Sequence, residues 1–166
     1  MKNKKRKAGM NLIELAVVMA IAGMLMIGMV RIFRTSFDIW TSSLNAIYVQ
    51  GHGRSAVEEM TRFIRQSTSP VTGISPAVGT TAQSVKFTFF KDVDDFVEME
   101  YFKSGDSLYR VSGNSTSTLL KDYVDSIYFT HVSSYVVKIE TFTLTKGTGK
   151  SQKSLTFERT INIRNR

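Results

Sequence analysis

Glu14 is the residue of this chain most able to do chemistry beyond packing. It stands inside an apolar run from Met10 to Val30 that is otherwise interrupted only by Asn11. A carboxylate deep in a hydrocarbon layer costs about 2.5–3.5 kcal/mol on insertion scales, and less near the interface. Such a group normally has a partner, yet the run contains no Lys, Arg or His. The compensating cation must come from another chain, or from a terminus that exists only after the chain is cut. Elsewhere, Asp92, Asp94, Asp95, Glu98 and Glu100 can supply oxygen ligands for Ca²⁺. They lack EF-hand spacing and its required glycine, and a solvated strand face with a hairpin is the expected reading. His52 and His131 are the only histidines, and cysteine is absent. No Ser-His-Asp order, phosphate loop or zinc spacing accompanies them, so both are expected to be structural. No catalytic residue, metal site or cofactor is expected.

The element that must position Glu14 is a membrane-spanning helix. About 20 apolar residues at 1.5 Å rise cross a hydrocarbon core of roughly 30 Å. Lys2, Lys4, Lys5, Arg6 and Lys7 precede the run and are expected to hold the N-terminus in the cytoplasm. An ordinary secretory signal would place small residues after a shorter apolar core, whereas Gly9 lies before this one. Within the run Ala16, Ala20 and Gly23 form a narrow small-residue stripe of the kind that lets helices approach closely in lipid.

With the basic leader before it, Gly9-Met10-Asn11-Leu12-Ile13-Glu14-Leu15 resembles the class III signal sequence of type IV pilins and type II secretion pseudopilins. The resemblance implies that a prepilin peptidase cuts between Gly9 and Met10 and methylates the new N-terminus at Met10. It further implies that Glu14 assists assembly by neutralising the α-amino group of an adjacent subunit. Met10 departs from the Phe usual at the first mature position. Gly53 to Ser67 loosely resembles the helical spine of J-type minor pseudopilins and comparable minor pilins. The family also implies that part of the helix near Gly23 and Gly28 loses helicity inside a filament.

The chain has 166 residues and a formal net charge of +8. Removing residues 1–9 with their five basic side chains leaves 17 basic and 14 acidic side chains, a net of +3. The basicity is therefore mostly a topology signal and does not imply nucleic-acid binding. The tail Lys150, Lys153, Arg159, Arg164 and Arg166 is interspersed with acids and also reads as a strand, so nucleic acid is not an expected partner. Without cysteine, an outer domain facing an oxidising space has no disulfide and relies on packing.

Beyond Val30 the helical period continues through Phe33, Phe37, Trp40, Leu44, Ile47 and Tyr48. It resumes after Gly51 and Gly53 with Ala56, Val57, Met60, Phe63 and Ile64, giving an amphipathic helix with its apolar face on a sheet. On the other side Glu58 is expected to neighbour Arg62, and Glu59 to neighbour Arg62 or Phe63. The Gly51-His52-Gly53 step is a place for a bend, and Ser67, Ser69 and Pro70 end the helix. Ser67 to Ser84 reads as a loop.

From Val85 the period becomes two, as in Val85/Phe87/Phe89, Val97/Met99/Tyr101, Tyr109/Val111, Ile127/Phe129, Val137/Ile139 and Leu155/Phe157. Turn signals stand at Lys91–Asp95, Ser104-Gly105-Asp106, Gly113-Asn114, Ser133-Ser134 and Lys146–Lys150. Between Val136 and Leu144 the apolar phase slips, from Val137/Ile139 to Phe142/Leu144, which predicts a β-bulge or a sheet edge. The expected fold class is α+β: a long N-terminal helix, both membrane stem and domain spine, packed on an antiparallel sheet. Its parts are a leader at 1–9, a transmembrane part at 10–30, an outer helix at 31–67 and a sheet domain at 68–166.

The expected function is a structural subunit, a minor pilin or pseudopilin, of a type IV pilus or type II secretion filament. Its partners are the prepilin peptidase, other subunits and inner-membrane lipid. The protein is expected in the bacterial inner membrane as a single-pass chain with its C-terminal domain outside, and in a filament after assembly. The alternative is a signal-anchored envelope binding protein or enzyme with a β-rich outer domain.

Overall fold

The computed structural model describes residues 12–67, 74–92 and 95–163. The chain divides within its helix into two units, one ending at Thr41 and one beginning at Ser42.

One helix, α1 (Leu12–Arg65), opens the chain and runs unbroken through Gly51-His52-Gly53. Its last carbonyls are taken up locally, as Ser67 donates both its N–H (3.1 Å) and its hydroxyl (2.7 Å) to the Ile64 carbonyl. Ser67 thus closes the helix as expected; Ser69 and Pro70 lie outside the described residues. Eight strands follow: β1 (Thr81–Ala82), β2 (Ser84–Asp92), β3 (Asp95–Ser104), β4 (Ser107–Ser112), β5 (Ser115–Leu120), β6 (Val124–Ser133), β7 (Val136–Lys146) and β8 (Lys153–Asn162). A 3₁₀ turn, Gly149–Ser151, joins the last two.

The strands form two antiparallel four-stranded sheets, ordered β2-β3-β4-β5 and β1-β6-β7-β8. The fold is therefore α+β as expected, with two sheets where the strand pattern suggested one. Each sheet is built mainly as a meander of strands consecutive in the chain. The exception is β1, which leaves the expected Ser67–Ser84 loop to pair Thr81 with Thr130 of β6. Strand periodicity specifies faces but not which strands pair, so the split was not legible from it.

Short loops set the hairpin registers. Gly105 and Gly113 each adopt φ 56, and each opens a two-residue connection, pairing Ser104 with Ser107 and Ser112 with Ser115. Glycine accepts this conformation without the steric cost that Cβ imposes. The expected phase slip in β7 is a bulge, because the β7–β8 register shifts between Ile139 and Phe142. It keeps Val137, Ile139, Phe142 and Leu144 all buried. Since β7 lies between β6 and β8, a sheet edge is not the cause.

The core joins α1 to both sheets. The helix contributes Val49, Gly53, Ala56, Met60 and Ile64, which recur every three or four residues on one face. Val85 and Phe87, Met99 and Tyr101, and Ile127 and Phe129 meet them at the expected alternate positions. Strand β4 departs from expectation: Leu108 is buried, while Tyr109 is half-buried and stacks on Phe102 at 5.4 Å. The next face-mate of Leu108 is Arg110, whose polar head disguises the alternation.

Candidate functional site

Glu14 lies in the first described turn of α1 and is exposed. Gly9 and Met10, the expected cleavage and methylation positions, lie outside the described residues. From Leu12 to Trp40 every helix residue is exposed, and the helix is long and apolar enough to cross a membrane. Ala16, Ala20 and Gly23 are among these exposed residues, and no atom stands within 4 Å of a Cβ placed on Gly23 or Gly28.

The expectation that a sheet covers the apolar face from Phe33 onward is not met. Phe33 (71%), Phe37 (64%), Trp40 (59%) and Leu44 (45%) are exposed, as is Ile47. Partial cover starts at Thr41, and Val49 is the first helix side chain to be fully buried. Helical periodicity marks an apolar stripe equally well whether the fold or another molecule covers it.

Three segments converge at the start of the covered part. Tyr48 and Tyr123 meet edge to face at 5.3 Å, with their hydroxyls 3.0 Å apart. His52 packs on the Tyr48 ring at 4.1 Å, and the Lys146 ammonium lies 3.1 Å from the centre of that ring. One turn earlier, the Asn45 side-chain amide donates to the Ser151 carbonyl at 3.0 Å. Asp122, at φ 69, precedes Tyr123 and sets its direction. Burial, and then the hydrogen bond with Tyr48, push the Tyr123 hydroxyl up to about 12. The cation–π and hydroxyl contacts fasten the helix to the ends of β7 and the β5–β6 connection. Sequence reasoning placed Tyr48 only in an apolar stripe and Lys146 only in a turn, since 75 residues separate Tyr48 from Tyr123.

Deeper in the same unit, the Arg110 guanidinium donates to Glu59 at 2.7 Å, with both side chains about two-thirds buried or more. Arg110 of β4 is thus a partner of Glu59 beyond its expected helix neighbours, Arg62 or Phe63, and the Arg62 guanidinium lies 5.3 Å over the Phe63 ring. Tyr101, paired with Arg110 across β3 and β4, has its hydroxyl raised by burial first and by Glu59 second. The hydroxyls of Thr61 and Tyr101 are buried without a hydrogen-bond partner among the described residues.

His131 is buried in β6 and bonds through Nδ1 to the Pro76 carbonyl at 3.0 Å. A carbonyl only accepts, so Nδ1 carries the hydrogen. Backbone thus fixes the orientation of the ring, while Nε2 is buried without a hydrogen-bond partner among the described residues. Asp94 lies outside the described residues, and among those described no group of His, Cys, Asp or Glu side chains is placed to hold a metal. Of the acids, Glu98 pairs with Lys86 at 2.7 Å across the exposed face of the β2–β3 pair.

No family model, curated protein or solved structure matches the chain.

Proposed function

We propose that this protein is a minor pilin or pseudopilin, a structural subunit of a type IV pilus or type II secretion filament. The observation that carries the reading is Glu14, an acid in the first turn of an exposed apolar helix, five residues after Gly9 and its basic head. Cutting between Gly9 and Met10 creates an amine on the apolar side of the leader. That amine, methylated at Met10, is the cation that the run itself lacks, supplied to Glu14 by the neighbouring subunit.

The uncovered face from Phe33 to Ile47 supports the same reading. Apolar helix surface beyond a membrane span is stable when helices of like subunits pack along it. On this reading the peptidase acts in the inner membrane, the outer domain faces away from the cytoplasm, and the chain is a substrate rather than an enzyme. Mass spectrometry of the native membrane-extracted protein tests it. A chain beginning at methylated Met10 is expected; residues 1–9 still attached, on a protein that enters no filament, overturn the proposal.

A further inference from the structure

We propose that, in the unassembled chain, Arg31 and Arg34 bind phosphate groups of anionic phospholipids on the leaflet opposite the basic head, with Phe33, Phe37 and Trp40 seated in the same headgroup layer. The inference rests on the single-pass reading above and adds the depth at which the helix sits.

The register follows from charge and length. Glu14 and Arg34 are 20 residues apart on one unbroken helix, which at 1.5 Å per residue is about 30 Å, the thickness of the hydrocarbon layer. Between them stands a single further charge, Arg31, one turn from the outer end. Seating Glu14 at the inner boundary brings its carboxylate to water and places Arg34 at the outer boundary. Arg31 lies within snorkelling reach of the same layer. A span centred on Met10 to Val30 would instead hold Glu14 inside the hydrocarbon.

The side chains at and past that boundary fit a headgroup layer over about half the circumference of the helix. At 100° per residue, Phe33, Phe37 and Trp40 fall within about 60° of one another, Arg31 lies across the helix from them, and Arg34 stands between, about 60° from Phe37. All are exposed, and Phe37 packs against Trp40 at 6.0 Å. A second copy of the chain lying alongside covers one face only. Lipid surrounds the helix, receiving Phe33 at the acyl boundary and Phe37 and Trp40 one to two turns farther out among the headgroups, and offering phosphate to both guanidinium groups. Asp38, the next charge, falls one turn beyond Arg34, between Phe37 and Trp40 and outside the hydrocarbon.

Trp40 is the only tryptophan, so its emission reports this position alone. The full chain is placed in phosphatidylcholine vesicles with and without a minor fraction of phosphatidylglycerol. Expected results are strong quenching of Trp40 by lipids brominated near the headgroup, weak quenching by aqueous iodide, and enrichment of phosphatidylglycerol around the chain. Arg31→Gln and Arg34→Gln each lower that enrichment about fivefold. Unchanged enrichment in the double variant, or iodide quenching without bromolipid quenching, overturns the seat. So does shielding of Trp40 that disappears on dilution to one chain per vesicle, which assigns the face to a second copy. Alkaline carbonate separates the two readings. A chain it releases from the vesicles does not span; a chain that resists it but shows iodide-quenched Trp40 spans without this seat.

Discussion

The edge of the Phe157 ring stands where a Cβ on Gly53 would lie, and Leu144 Cδ1 is 3.1 Å from the same point. Gly53 is thus a contact point at which α1 meets the second sheet, and the helix continues unbroken through the two glycines. Gly51, two residues away, has no atom within 4 Å of the place a Cβ would take.

The two glycines therefore respond oppositely to alanine. Gly51→Ala is expected to stabilise the fold by roughly 0.5–1 kcal/mol through helix propensity. Gly53→Ala forces Phe157 and Leu144 aside and is expected to destabilise by about 1–3 kcal/mol, with Gly53→Val worse. Urea unfolding of the full chain in detergent micelles, followed by circular dichroism, reads both signs.

Breaking the Glu59–Arg110 pair leaves a charge on a largely covered face beside the buried Tyr101 hydroxyl. Arg110→Ala is expected to cost about 1–3 kcal/mol. The double variant Glu59→Gln/Arg110→Met should cost less than the sum of its single changes, since no charge is then stranded. A double-mutant cycle on the same unfolding assay measures the difference.

Alkali should loosen the domain through its tyrosines. Tyr123 is raised from an ordinary value near 10 to about 12 in the fold, and Tyr101 is raised as well. A raised folded value means that the neutral hydroxyl is the stabilised form. Its contribution is full below about pH 10 and is lost as pH rises toward 12. Melting temperatures measured from pH 9 to pH 12 should fall, and Tyr123→Phe should flatten part of that fall.

Processing and assembly should separate genetically. Replacing Gly9 with a bulky residue is expected to block removal of residues 1–9. Glu14→Ala should leave that cut intact and lower incorporation into filaments by tenfold or more, in line with an unpaired amine in lipid. Immunoblots of sheared filaments against membrane fractions give both readouts; wild-type incorporation of the alanine variant would remove any role of the carboxylate in assembly.

Local order was legible in the residues themselves. Apolar continuity from Leu12 onward marks a helix able to span a membrane, and alternation such as Val85, Phe87 and Met99, Tyr101 marks strands. The turns at Gly105 and Gly113 and the bulge near Ile139–Phe142 follow from single-residue conformational needs. These features depend on neighbours a few positions away, which a periodic pattern records. The tertiary structure alone decided that eight strands make two sheets, and that β1 pairs with β6. Distant partners likewise fixed the meetings of Glu59 with Arg110, Tyr48 with Tyr123 and Lys146, and Gly53 with Phe157. The stripe from Phe33 to Ile47 shows the boundary between the two kinds of knowledge. Its period prescribes an apolar face, but only the reach of the sheets determines how much of that face the chain covers by itself.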